Sequence, residues 1–246
     1  MAKISWENGY IRNEDAALYY EVHRGALEDA PILILLHGNG EDMHVFDGHI
    51  EQLLPYYTVL TVDTRGHGKS SRGDRPLSYE LFATDLFTLA NKLQIGNLLI
   101  LGFSDGANTA LELALRHQER IGAMILVGAN LHPEGLTPLC LRGIQLKKLK
   151  ARMSELFMRK DTGESELADL MLTCPNIEAS QLKTVTIPTL VISGEKDFIK
   201  EEHTELIATS LANARWQQIK EAGHFVMKDA PEEFDQIILK FLMEDD

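Results

Sequence analysis
Cysteine is scarce in this chain: Cys140 and Cys174 are the only two, and they form no C-x-x-C pair. That excludes a disulfide scaffold and a cysteine-based zinc site. Cationic residues are outnumbered, 24 Lys and Arg against 37 Asp and Glu. A net charge of −13 argues against nucleic acid or an anionic membrane surface as a partner. Long apolar runs are missing as well. The longest, Ile32 to Leu36, falls far short of the ~20 residues that cross a bilayer. Residues 1–8 hold no apolar stretch of the kind that marks a secretory signal, so the expected location is cytoplasmic. No repeat, low-complexity tract or Pro/Gly/Ser-rich linker is visible. With 246 residues, 44% hydrophobic and 25% charged, the chain suits one α/β domain with a large core and a small insertion.

Short apolar runs alternate with helical patterns, the signature of βαβ units and a mostly parallel sheet. Residues 10–22 read as an initial hairpin, and 32–36, 58–62, 97–101, 123–127 and 189–193 as strands. These runs are apolar throughout, as a sheet covered on both faces requires. Phe82, Leu86, Leu89, Ala90 and Leu93 keep the 3.6-residue period of a helix, as do Phe234, Ile237, Ile238, Phe241 and Leu242, with Pro231 in the first turn of the latter. One segment breaks the alternation. Residues 131–176 show only helical periodicity (Leu146, Leu149, Met153, Leu156, Phe157). They read as a helical cap or lid on a core made of 1–130 and 177–246.

The sharpest local motif is Gly102-Phe103-Ser104-Asp105-Gly106, placed after a strand and before the helical pattern of residues 107–116. In a G-x-S-x-G elbow the turn lifts a serine hydroxyl above the carboxyl edge of the sheet. The glycines let strand and helix cross closely. A nucleophilic serine needs a base to accept its proton and an acid to orient that base. His224, in a loop before the last helix, and Asp197, straight after a strand, meet those needs in the order Ser104, Asp197, His224. His37, His44, His49, His67, His132 and His203 are expected in loops or at helix ends without a matching acid. His23 falls in the hairpin and His117 at a helix end. The junction His37-Gly38-Asn39-Gly40 is small enough to aim backbone N–H groups at a developing oxyanion. The donors expected there are the N–H groups of Asn39 and Asp105, with the Asn39 side-chain amide as a further candidate.

Apart from the insertion, the chain resembles the α/β-hydrolase superfamily from end to end. Five motifs in the family's order carry the resemblance. They are His37-Gly38-Asn39-Gly40, Asp63-Thr64-Arg65-Gly66-His67-Gly68-Lys69-Ser70, the Ser104 elbow, the stretch from Pro188 to Asp197, and Gly223-His224. The resemblance implies an eight-stranded, mostly parallel sheet with helices on both faces, a helical cap, no cofactor or metal, and hydrolysis through an acyl-serine. It also implies that the turn from Asp63 to Ser70 is structural, which leaves Arg65 and His67 outside the site. Relatives that open epoxides or remove halides carry an aspartate at the elbow, so a serine there speaks against those chemistries. Others carry the acid after the preceding strand, near Asn130 here, which has no carboxylate.

Asp105 departs from expectation. A carboxylate ~5 Å from an oxyanion would cost about 3 kcal/mol at an effective dielectric near 20, so it must be turned away or neutralised. Two readings stand: an acid in the first turn of a helix, worth about 0.3–1 kcal/mol, or a receptor for a cationic group of the substrate. Ser-Asp-Gly elbows of this kind resemble those of hydrolases acting on amino-acid esters. Phe103, Phe198 and Phe225, with Met153, Phe157, Met158, Met171 and Leu172 from the lid, are the expected apolar lining beside Asp105. The expected function is cleavage of a small carboxylic ester by a monomer or homodimer. A thioesterase, a lactonase, a C–C bond hydrolase, a perhydrolase or a non-catalytic receptor on the same fold are the alternatives. Charge is unevenly spread. Residues 142–160 hold seven basic residues and one acid, Glu155, so they carry +6 and the rest of the chain −19. That stretch is a solvated helix face, a lid held by long-range attraction, or a guide for anionic substrates.

Overall fold
The computed structural model describes residues 5–25, 27, 29–158 and 162–244. Residues 1–4, part of the segment read for a secretory signal, and Arg159 and Lys160 of the basic run lie outside them. The strands are β1 (Ser5–Asn13), β2 (Ala16–Arg24), β3 (Ile32–Leu36), β4 (Thr58–Val62), β5 (Leu98–Phe103), β6 (Ile121–Val127), β7 (Thr189–Gly194) and β8 (Ala214–Ile219). They form one sheet in the order β1-β2-β4-β3-β5-β6-β7-β8. The β1–β2 hairpin pairs antiparallel to β4 and the other contacts are parallel. The sheet is the eight-stranded, mostly parallel one that the resemblance implies. β8 escapes recognition as an apolar run because, as an edge strand, it alternates half-buried and exposed residues.

The helices are α1 (Asp47–Leu53), α2 (Tyr79–Lys92), α3 (Asp105–His117), α4 (Pro138–Met158), α5 (Glu164–Thr173), α6 (Ala179–Leu182), α7 (Glu201–Ser210), α8 (Val226–Asp229) and α9 (Pro231–Glu244). Side chains alternate across a strand, so β3 feeds two cores. Ile34 and Leu36 pack with Leu86, Leu89, Leu111 and Ile207 under α2, α3 and α7. Leu33 and Leu35 pack with Leu53, Phe234 and Ile238 under α1 and α9. Among the described residues no helix is long and apolar enough to cross a membrane.

The turn after β4 is a polar knot. Asp63 accepts from the N–H groups of Met43 (2.9 Å) and Lys69 (2.7 Å). Arg65, fully buried, donates two hydrogen bonds of 2.8 Å to Asp85 of α2 and one of 2.8 Å to Asp15 in the hairpin turn. This pairing pins the antiparallel hairpin to the body.

Between β6 and β7 the described residues form α4, α5 and the short α6, and no named strand. Ile144, Ala168, Leu136 and Ile199 make a small core between them and the body. Arg72 donates to both carboxylate oxygens of Glu166 in α5. Only Ile144 and Ala151 of α4 are buried. Met153 is 63%, Phe157 91% and Met158 54% exposed, which corrects their expected place in the substrate pocket. Leu146, Leu149 and Leu156 are exposed too. Periodicity identifies residues that share a helix face but not which face meets protein. Here the small Ala151 and Ile144 turn inward and the larger stripe turns out.

Asp85→Ala takes from the buried Arg65 one of its two carboxylate partners and leaves Asp15. It is expected to lower stability by about 3 kcal/mol in equilibrium denaturation.

Candidate active site
The carboxyl ends of β3, β5, β6, β7 and β8 lie along one edge, where open α/β sheets form their binding crevice. At the end of β5 the chain turns into α3 within one residue. Ser104 takes φ 52° and ψ −113°, a left-handed, strained conformation. The crossing explains both glycines. A Cβ on Gly102 would lie 2.4 Å from the Gly106 carbonyl oxygen, and one on Gly106 would lie 2.1 Å from that of Leu36.

Ser104 Oγ lies 3.1 Å from His224 Nε2, and His224 Nδ1 lies 2.8 Å from Asp197 Oδ1. Asp197 also accepts from the Ile199 N–H at 2.9 Å, which orients the carboxylate. With the proton on Nδ1, the imidazole donates to Asp197 and accepts from the serine. Both side chains of the His224–Asp197 pair are 3% exposed. Phe198 lies against the ring with centroids 3.9 Å apart, and Phe103 at 5.0 Å. Gly128, at φ +61°, permits the approach: a Cβ there would meet His224 Cε1 at 2.6 Å. The three residues expected from sequence order meet at one point. Such a chain can pass the serine proton to the imidazole and stabilise the imidazolium that results.

The loop after β3 is held by two neutral histidines. His37 accepts from the Thr64 N–H (3.0 Å), and His67 from the Gly40 N–H (3.0 Å). Burial holds both rings down at about 4, so they remain neutral acceptors. The backbone N–H groups of Asn39 and Asp105 carry no hydrogen bond to any described residue, and can serve an oxyanion. The Asn39 side-chain amide cannot join them. It donates to Asp105 Oδ2 (2.9 Å) and to the Leu167 carbonyl of the insertion (3.0 Å).

Asp105 is 6% exposed and lines the cavity. The Tyr79 hydroxyl donates to its Oδ1 at 2.7 Å while Asn39 holds Oδ2. Burial pushes its pKa up to about 6 against the pull of these two donors. The cavity holds about 360 Å³. Phe103, Phe198, Phe225 and Met171 line it as expected, together with Leu136 and Ile144, while Leu172 packs against the small core under the insertion instead. Sequence reading missed Tyr79, Glu41, Lys147 and Cys140 in its wall. Burial pushes the Cys140 thiol up to about 11, which leaves little thiolate to rival the serine.

The remaining histidines stay away from Ser104, though not for want of acids. His49 pairs with Asp235 at 2.7 Å and His44 with Asp47 at 3.1 Å, which corrects the expectation that neither has an acid partner. No cluster of metal-binding side chains occurs among the described residues.

Known proteins add to this picture. A family model described as the α/β hydrolase fold matches residues 31–151. The uncharacterized hydrolase YraK of Bacillus subtilis is 32% identical over 71% of this chain, which spans 60% of that relative's length. A putative esterase/lipase of Haemophilus influenzae is 22% identical over 87% of this chain and 84% of its own. The crystal structure of a hydrolase from Pseudomonas aeruginosa superimposes with a TM-score of 0.77 at 26% identity, covering 96% of this chain and 98% of that one.

Gly106→Ala tests the crossing that shapes the elbow. With backbone on the far side of the clash, the expected loss is about 3 kcal/mol or more, read as a lowered denaturation midpoint or loss of soluble protein.

Proposed function
The chain belongs to the α/β-hydrolase superfamily, and we propose that it is a serine hydrolase that cleaves small carboxylic esters through an acyl-serine intermediate. The observation that carries this reading is the hydrogen-bonded chain Asp197–His224–Ser104 opening onto a mostly apolar cavity. In the proposed mechanism His224 takes the Ser104 proton as Oγ attacks the ester carbonyl. The Asn39 and Asp105 N–H groups stabilise the oxyanion of the tetrahedral intermediate. Protonated His224 then delivers its proton to the leaving alcohol. Water, activated by the same imidazole, attacks the acyl-serine and releases the acid. Asp197 holds the working tautomer throughout. The helical insertion, residues 131–176, acts as the cap over this cavity, with Leu136, Ile144 and Met171 facing the acyl group.

Within that chemistry, Asp105 favours esters that carry a positive group near the carbonyl. Its carboxylate lines the cavity one residue from the nucleophile, and its two donors supply no charge to neutralise it. A substrate ammonium would do so.

Ser104→Ala is expected to lower kcat on the order of 10⁶-fold. A fluorophosphonate should label the wild type and spare the variant; a wild type that resists labelling would overturn the mechanism. Paired esters with and without an α-amino group test Asp105. Asp105→Asn is expected to cut kcat/KM for the amino ester by about 10–100-fold and to spare its neutral analogue. Equal losses on both would remove the cation reading. Because the carboxyl is protonated below its pKa of about 6, preference for the amino ester in kcat/KM should fall as pH drops from 7 to 5.

A further inference from the structure
Helix α4 carries an apolar stripe that no described residue covers. Leu139, Leu146, Leu149, Met153 and Leu156 recur at intervals of seven, three, four and three, so they share one side of the helix, with Phe157 beside them. Their exposures run from 56% at Leu149 to 91% at Phe157. Single exposed apolar residues are ordinary, but a contiguous row of this kind marks an interaction surface. Ile144 and Ala151, on the opposite side, hold the helix to the body.

Charge says what meets the stripe. Lys150 and Arg152 are exposed along its borders and Arg142 within it, while Lys147 turns to the cavity and Lys148 is paired with Asp169. The helix has one acid, Glu155, which accepts hydrogen bonds from the Ser165 hydroxyl and N–H within the insertion. An apolar row flanked by cations is the pattern of a helix lying in a membrane interface. The expectation that a net charge of −13 argues against an anionic membrane surface treats that charge as evenly spread; charges beyond a Debye length of about 8 Å are screened, and the surface meets the helix nearest to it. A second copy of the chain fits poorly. With the stripe as the seam between two such helices, Arg142 falls in the seam and Lys150 and Arg152 flank it, so like charges would face each other.

We propose that α4 docks this protein on a phospholipid bilayer with anionic headgroups, its apolar stripe set into the acyl boundary and its cations among the headgroups. This contact is peripheral and independent of the ester chemistry. Gly143, Ile144 and Lys147 of the same helix line the cavity, so the docked face and the cavity share one element.

Co-sedimentation of the full chain with vesicles tests the proposal. The protein should pellet with phosphatidylglycerol-containing vesicles at low salt, be released at high salt, and stay in solution with phosphatidylcholine alone. Each surface-bound cation is worth roughly a factor of five. Lys150→Glu/Arg152→Glu should therefore cut partitioning at least about tenfold, and Leu149→Glu/Leu156→Glu comparably. All four side chains are exposed, so both variants should keep the wild-type melting curve. Absence of wild-type binding to anionic vesicles at low salt, or undiminished binding by both variants, would overturn the proposal. A concentration-dependent dimer abolished by Leu149→Glu/Leu156→Glu would instead assign the stripe to a second copy and overturn it equally.

Discussion
The close crossing of α3 over the sheet is the constraint on which the site depends. The Gly106 Cα stands where any side chain would strike the Leu36 carbonyl, and Gly102 stands under the Gly106 carbonyl. At that separation the chain has one residue in which to turn from strand to helix, and Ser104 absorbs the turn at positive φ. Three consequences follow from the same geometry. The hydroxyl is raised over the carboxyl edge, the Asp105 N–H is left free at the start of α3, and the Asp105 side chain is driven into the cavity wall.

The cost of that last consequence falls on its carboxyl, whose pKa burial raises. A carboxyl held near 6 when its ordinary value is 3.8 prefers to be neutral, so its ionisation above pH 6 opposes folding by about 3 kcal/mol. The sign is that of a raised acid: its contribution favours the fold at low pH and is lost as pH climbs from about 4 through 6. Tyr79 and Asn39 offset part of the burial. Strain and desolvation concentrated beside Ser104 are what the proposed site would retain and a purely structural helix start would not. The Arg65 cluster is the contrasting case. It is buried as deeply, but its charges are mutually satisfied, and its work is to hold the hairpin.

The insertion joins the body unevenly. α5 is tied by Arg72–Glu166 and by the Asn39 amide on Leu167, while α4 is about 31 Å long and rests on two buried side chains. An apolar stripe in such a segment has no obligation to face the core. Reading it as cavity lining put Met153 and Phe157 on the wrong side, whereas Leu136 and Ile144, which do line the cavity, have no periodic mark to set them apart.

The sequence alone determined the strand runs other than β8, the elbow and the order of Ser104, Asp197 and His224, because these depend on short-range facts: unbroken apolar stretches, paired glycines, and acids or histidines that follow a strand. It also established that the insertion is helical. Tertiary structure alone decided what each face meets. Tyr79 reaches Asp105 from α2, Asn39 spends its amide on a carboxylate and an insertion carbonyl, and α4 turns its larger apolar side to solvent. The physical reason is that periodicity and spacing encode which residues share a face. Which face is buried is settled by the packing of elements far apart in the chain.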